Sequence, residues 1–330
     1  MLIFISGCSL LEKNTNYPLS DHYNGKTFFN PWGINATKNL WDVIKWKMNS
    51  TASKWPENET IQENNEALLF DGNSNSLHIT YIGHATTYIQ NSKQSILTDP
   101  QFSDRASPVS FAGPKRFRKP ALQIDDIPKL NVVIISHNHY DHLDLPTLKK
   151  LFQKFRPTFI VPLGNKKLLG DEGIQNVIEL DWWQTHENIQ LVPVSHWSAR
   201  GIFDRNQTLW GGFVISLDQR KIFFAGDTGY GPHFKMIYEK LGAMDVSILP
   251  IGAYAPRWFM KDQHMDPTDA LKAHEDLKSK QSFAIHFETF QLTDEAFLEP
   301  RQRLTEEMSK NKMTPSEFFI PKFGQTLIVK

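Results

Sequence analysis

NVVIISHNHYDHLD, residues 131–144, couples an apolar run to a cluster of histidines and aspartates. The chain has 12 histidines in 330 residues, yet three of them stand within the six positions 137–142. The run NVVIIS reads as a buried strand. A buried strand is a rigid mount, and its end is where a site can open to solvent. The same arrangement recurs along the chain. IQLVPVS runs into His196, KIFFAG runs into Asp227, and SFAI runs into His286. Four apolar strands therefore each end in a potential metal ligand.

Those residue types suit zinc, which accepts imidazole nitrogen and carboxylate oxygen in near-tetrahedral sets. His137 and His139 project from a tight turn and can bind one ion with His196. Asp141 and His142 can bind a second with His286, and Asp227 can bridge both. Two ions roughly 3.5–4 Å apart can hold a hydroxide between them, a nucleophile at neutral pH. The charge left over is positive and favours an anionic substrate such as a phosphodiester. Iron or manganese is also compatible with the donor set. Cys8 is the one cysteine, so there is no internal disulfide and no Cys-based zinc site. No serine stands in a nucleophile-elbow context.

The rest of the chain has an ordinary globular composition, with 40% hydrophobic and 22% charged residues. Lys plus Arg equals Asp plus Glu at 36 each, which gives no global bias toward nucleic acid. No run reaches the roughly 18 apolar residues of a bilayer span. From Leu77 onward, β-rich runs follow one another between Gly and Pro punctuation: LHITYIG, TTYIQ, QSILTDP, TFIVP, NVIEL, WGGFVISL and DVSILP, besides those above. Helical spacing appears in LPTLKKLFQKF at Leu145, Leu148, Phe152 and Phe155. It appears again in DPTDALKAHEDLKSK, which Asp266 caps, with Pro267 in the first turn. The reading is a layered α/β protein with two sheets covered by helices. Residues 39–49 form a short amphipathic helix with Leu40, Val43, Ile44 and Met48 on one face, and ENETIQENNE reads as a solvated loop.

The motif HxHxDH resembles the metallo-β-lactamase superfamily. Longer strings narrow the resemblance: FFNPWG, IGHATTYIQ, LTDPQFSDRASP, GPKRFRKP, FFAGDTGY, IGAYAPRWFM and AIHFETF look like the N-acyl-phosphatidylethanolamine-hydrolysing phospholipase D family. The resemblance runs from about residue 26 onward. It implies an αβ/βα sandwich of two facing mixed sheets with helices outside and metals at one edge. It implies two Zn2+ per chain, held by His137, His139, Asp141, His142, His196, Asp227 and His286. The catalytic set it implies is Asp141, Asp227 and His264. Asp99 is expected to orient a ligand histidine. His84 is expected either to do the same or to be a satisfied half-buried histidine. Tyr254, Arg257 and Gln263 lie in GAYAPRWFMKDQH (252–264), beside the implied site. Arg257 reads equally as a phosphate contact or as a structural ion pair.

The function implied is hydrolysis of N-acyl-phosphatidylethanolamine to phosphatidic acid and an N-acylethanolamine. A lactonase or phosphodiesterase acting on a soluble anion is the alternative, and a non-catalytic binding protein is disfavoured by the complete ligand set. The expected partners are a phospholipid and a membrane surface; no nucleic acid is expected, and a homodimer is compatible. GPKRFRKP reads as a solvated basic loop or an attractor of anionic headgroups. Trp32, Trp41 and Trp46 read as lipid-facing or as core residues. Residues 1–25 are expected to be a signal or lipobox remnant and a flexible segment, with the hydrolase domain over 26–330. MLIFISGCSLL carries the lipobox-like ISGC, although no Lys or Arg precedes it. Lipidation of Cys8 would anchor the protein to a membrane; without it the protein would be cytoplasmic and peripheral.

Overall fold

Val132 and Ile134 point to one side of their strand and Val133 and Ile135 to the other, and both sides are buried. A strand buried on both faces needs a layer on each, and the computed structural model supplies them. It describes residues 17–33, 38, 40–56 and 76–330. Cys8 and the ENETIQENNE stretch lie outside the described residues.

The first sheet contains β1 (Leu77–Gly83), β2 (Thr86–Gln90), β3 (Ser95–Thr98), β4 (Val132–Ile134), β5 (Thr158–Pro162) and β6 (Val177–Leu180). The second contains β7 (Thr185–His186), β8 (Ile189–Val192), β9 (Gly212–Leu217), β10 (Arg220–Phe224), β11 (Val246–Pro250), β12 (Gln281–Ile285) and β13 (Phe318–Phe319). The last strand, β14 (Thr326–Val329), returns to the first sheet and pairs antiparallel with β1, Leu77 opposite Val329. The sheet orders are β14-β1-β2-β3-β4-β5-β6 and β13-β12-β11-β10-β9-β8-β7. Both are mixed: β3 to β6 run parallel and β1 to β3 antiparallel.

The sheets share one core, in which Tyr81, Ile134 and Ile160 join Ile215, Phe223, Ile248 and Phe283. Each such side chain contributes about 1.5–3 kcal/mol on leaving water. A one-residue slip of a strand would forfeit that for the whole strand. Parallel strands need crossovers, and helices provide them. Between β4 and β5 lies α2, which follows α1 (Leu40–Asn49) in the chain and spans Leu145–Phe155; its Leu148, Leu151 and Phe152 cover the outer face of the first sheet. α3 (Lys166–Asp171) leads into β6. On the second sheet, α4 (His233–Leu241), α5 (Arg257–Met260) and α6 (Pro267–Asp276) lie between β10 and β12, and α7 (Glu299–Lys310) precedes β13. The Asp266 side chain caps α6 by accepting from the Asp269 amide at 2.9 Å.

Two readings of the sequence are corrected here. α1 does not dock through its aliphatic row. Val43 and Ile44 are about a third exposed, and Met48 is 80% exposed. The helix docks instead through Trp46, which packs on Phe259 and Met260 and donates to Asp294 Oδ2 at 2.9 Å. A single large ring with an N–H partner outweighs a row of smaller residues that find no opposing surface. GPKRFRKP is not a solvated basic loop throughout: Arg116 is buried and donates to the Ser103 carbonyl, and Arg118 pairs with buried Glu288 at 3.0 Å. Of the two alternatives for Trp32, the structure takes the core one: its ring lies parallel to that of Trp182. No helix among the described residues is long and apolar enough to cross a membrane.

Candidate metal centre

The site lies beyond the C-terminal ends of the strands, where the chain leaves regular pairing and side chains can converge. β4 runs into His137–His142, β10 into Asp227 and β12 into His286, while β8 reaches His196 four residues after its end. β1 and β3 add His84 and Asp99 in the same way. Three of these residues hold left-handed backbone that non-glycine residues rarely adopt: His84 (φ 56), Asp99 (φ 33) and His286 (φ 65). Such strain persists only where surrounding structure imposes it, and here it re-aims side chains at the strand ends. Close backbone approach also matters. A Cβ on Gly226 would overlap Ser136, and one on Gly252 would overlap the His286 carbonyl.

His137, His139 and His196 form the first trio. His137 Nε2 lies 2.8 Å from His139 Nδ1, and His196 Nε2 lies 3.3 Å from the same atom. Their outer nitrogens fix the tautomers. His196 Nδ1 faces the Gln263 carbonyl at 2.9 Å, an acceptor only, so Nδ1 carries the hydrogen. Ser136 donates its hydroxyl to Asp99 Oδ2 at 2.6 Å and can therefore only accept from His137 Nδ1 at 2.9 Å. Both Nε2 atoms thus present lone pairs toward His139 Nδ1. Burial, with His142 and the neighbouring histidines adding to it, holds His137 well below the ordinary imidazole pKa. Burial pulls His196 down to about 4. Three buried or half-buried imidazoles with ring nitrogens this close, two of them neutral with free lone pairs, form a donor set that fits a divalent ion. His139 Nε2 is buried without a hydrogen-bond partner.

Asp141, His142 and His286 form the second trio, with His142 Nε2 at 3.3 Å from both Asp141 Oδ2 and His286 Nε2. Asp227 stands between the trios. Its Oδ2 lies 3.2 Å from His142 Nε2 and 3.9 Å from His196 Nε2, and its Oδ1 lies 3.1 Å from His286 Nε2. Burial opposes charge on His142 and His286, but Asp227 and Asp141 more than offset it. They hold His142 well above its ordinary pKa and His286 at about 9. Carboxylates that hold protons on two buried imidazoles would hold a metal cation in their place.

The supporting residues are visible. Asp99 accepts from His142 Nδ1 at 2.7 Å and from the Ser136 amide at 2.7 Å. His84 Nε2 pairs with Asp141 Oδ2 at 2.9 Å, and burial followed by His286 drives its pKa down to about 3. His264 is buried with Nδ1 3.7 Å from Asp227 Oδ2, and burial lowers it to about 3, so it is neutral at pH 7. Gln263 contributes its carbonyl to His196. Arg257 is engaged within the protein: it pairs with Asp269 at 2.5 Å and Asp266 at 3.4 Å and donates to the His264 carbonyl at 2.8 Å. It therefore supports His264 instead of standing free for phosphate. Tyr254 is turned away and donates to Glu299 at 2.8 Å. Sequence reasoning missed Ser136, which links Asp99 to His137. The signal was a polar residue at the end of a buried strand, next to a ligand.

Comparison with known proteins agrees with this geometry. Residues 94–287 match the beta-lactamase superfamily domain. The chain is 36% identical to N-acyl-phosphatidylethanolamine-hydrolyzing phospholipase D 1 of Caenorhabditis elegans, over 90% of both chains. It is also 36% identical to the mitochondrial enzyme of that description from Saccharomyces cerevisiae, over 78% of this chain and 57% of the yeast protein. Among solved structures, the fold resembles Igni18, a metallo hydrolase of Ignicoccus hospitalis (TM-score 0.57, 20% identity, covering 77% of this chain and 99% of that one). The isothiocyanate hydrolase from Delia radicum gut bacteria is similar to the same extent (TM-score 0.57, 20% identity, 76% and 98% covered). The chain is thus a metallo-hydrolase of the metallo-β-lactamase superfamily, and within it belongs to the group resembling N-acyl-phosphatidylethanolamine-hydrolysing phospholipase D.

Proposed function

We propose that the protein is a zinc-dependent phosphodiesterase that hydrolyses N-acyl-phosphatidylethanolamine to phosphatidic acid and an N-acylethanolamine. The observation that carries this reading is Asp227, shared between two ligand trios at the mouth of a fold whose relative in Caenorhabditis elegans is 36% identical over nine-tenths of both chains. His137, His139 and His196 would hold one ion, Asp141, His142 and His286 the other, and Asp227 both. Bound there, two divalent ions would lower the pKa of a water and offset charge on the phosphoryl oxygens. Water adds to phosphorus, the bond to the ethanolamine oxygen breaks, and that oxygen leaves with a proton. His264, neutral and braced by Arg257 through its carbonyl, is assigned a hydrogen bond to the phosphodiester. The histidine-rich donor set favours zinc.

Exposed apolar residues on segments leading to the site support a lipid over a soluble anion. Ile202 (89% exposed) and Phe203 (86%) follow His196 in the chain. Trp258 sits on α5, just before Gln263 and His264, and Trp41 (77%) and Met48 (80%) sit on α1, which packs against α5. Lys45 lies over the Trp258 ring at 5.1 Å and adds positive charge suited to phospholipid headgroups. Membrane attachment through a lipidated Cys8 belongs to the same reading; mass spectrometry should find a diacylglyceryl group there, and an unmodified Cys8 in the soluble fraction refutes the anchor. The activity is tested by incubating zinc-loaded protein with N-acyl-phosphatidylethanolamine vesicles and measuring both products. Turnover of a sugar-phosphate lactone with none of the lipid would overturn the assignment in favour of a soluble substrate.

A further inference from the structure

The segment 17–33 precedes the residues matched by the superfamily domain, yet it reaches the metal centre. Asn30 Nδ2 donates to the His196 carbonyl at 3.1 Å, and Trp32 Nε1 donates to Ser195 Oγ at 2.9 Å. Ser195 is tied on the other side as well: its amide donates to Thr228 Oγ1 at 3.0 Å, and its carbonyl accepts from Gly229 at 2.8 Å. The backbone that carries His196 is thus clamped between this N-terminal strap and the residues just after Asp227. We propose that the strap braces the first trio, with Asn30 and Trp32 as positioning residues for His196; the inference rests on the metal-centre reading above.

The strap is itself firmly held, as a brace must be. The Trp32 ring lies parallel to Trp182 (5.8 Å between centroids, 12° between planes) and stacks on His233 (5.4 Å). Phe28 is buried, and His22 bonds Asp181 at 2.7 Å. A second arm reaches the other half of the trio. The Phe28 amide donates to the Asn206 carbonyl at 2.8 Å, and Asn206 donates to Ser198. In that loop Arg200 Nη1 donates to the Asn138 carbonyl, beside His139, and also to the Leu143 carbonyl, beside His142 of the second trio. The second trio has supports outside the strap, His84 on Asp141 and Asp99 on His142, and Asp99 also reaches His137 through Ser136. Supports of this kind set ligand direction, and their loss costs about 10–100-fold in metal affinity. Asn30 and Trp32 themselves bond the segment that carries His196, so their loss acts on the first ion and not on the second.

Metal-free protein titrated with zinc against a chelating dye gives the two dissociation constants. The Asn30→Ala, Trp32→Phe double variant is expected to weaken one constant about 10–100-fold and to leave the other unchanged, while metal-free protein melts as the wild type does. Trp32→Phe alone keeps an aromatic ring of smaller area between Trp182 and His233, loses the N–H, and should show part of the same one-site effect; if the double variant does not fold, this single variant decides. Two wild-type constants in both variants would overturn the brace. So would equal weakening of both sites with a lower melting temperature, which marks a general structural role. Wild-type protein that binds one ion or none would overturn the metal-centre reading itself, before any variant is compared.

Discussion

Asp227 touches both trios, so removing its charge tests the centre most directly. Asp227→Asn keeps the size and loses the anion that compensates two cations. Activity on the phosphodiester substrate is expected to fall on the order of a hundredfold or more; a rate near wild type would show that the residue is not shared. Asp99→Asn probes a support. All three partners of the carboxylate donate to it, the Ser136 amide and hydroxyl and His142 Nδ1. An amide nitrogen would turn a donor toward donors, and zinc affinity should drop about 10–100-fold, measured by chelator competition. The candidate ligands were legible in the sequence because they cluster after the ends of four apolar strands and need no partner to be recognised. Arg257 and Arg118 were not, because an arginine pairs with whatever the fold brings near. Asp269 and Glu288 settle that in three dimensions. Tyr254 was misdirected for the same reason, since Glu299 lies 45 residues away.

At the scale of elements, the ends of β11 and β12 meet so closely that only glycine fits between them. Gly252→Ala would push a methyl group into the His286 carbonyl. It should cost about 1–3 kcal/mol in stability and weaken zinc binding at the second trio; a variant that melts and binds zinc as wild type does would refute the contact. The strap offers a pH test. Burial lowers the His22 pKa, but the hydrogen bonds its ring donates to Asp181 and Asp21 more than offset this and raise it above the ordinary 6.5. A raised folded-state pKa stabilises below the unfolded value and loses that contribution as pH rises through the folded one. His22→Gln should therefore cost about 1–3 kcal/mol below pH 6.5, with the difference shrinking at more alkaline pH; thermal melts across pH 5–9 check this. Long strands were readable because their apolar runs are continuous. β7 and β13, of two residues each, carry no pattern at all. α1 was located correctly but faced wrongly, because its buried side is chosen by Asp294 and Phe259, more than two hundred residues on.

For the whole molecule, elemental analysis after zinc loading should find close to two ions per chain. Vesicle co-sedimentation should weaken at least about tenfold in Trp41→Ser, Met48→Ser, since each apolar side chain withdrawn from water contributes about 1.5–3 kcal/mol; unchanged sedimentation would remove α1 from the membrane surface. The two-sheet architecture was legible from strand count and spacing. The closing of the first sheet by β14 was not, because Thr326–Val329 is too short to announce a partner. That closing pair has a consequence for synthesis on the ribosome. Every residue of β1 is buried in the finished protein, yet one of its edges waits for β14, some 250 positions further along the chain. Until translation delivers those four residues, the nascent chain displays an apolar strand with a row of unpaired amides and carbonyls, a template for pairing with other chains. Ribosome-bound chains halted before residue 326 should accordingly recruit chaperones or aggregate, and release of the next few residues should end that exposure.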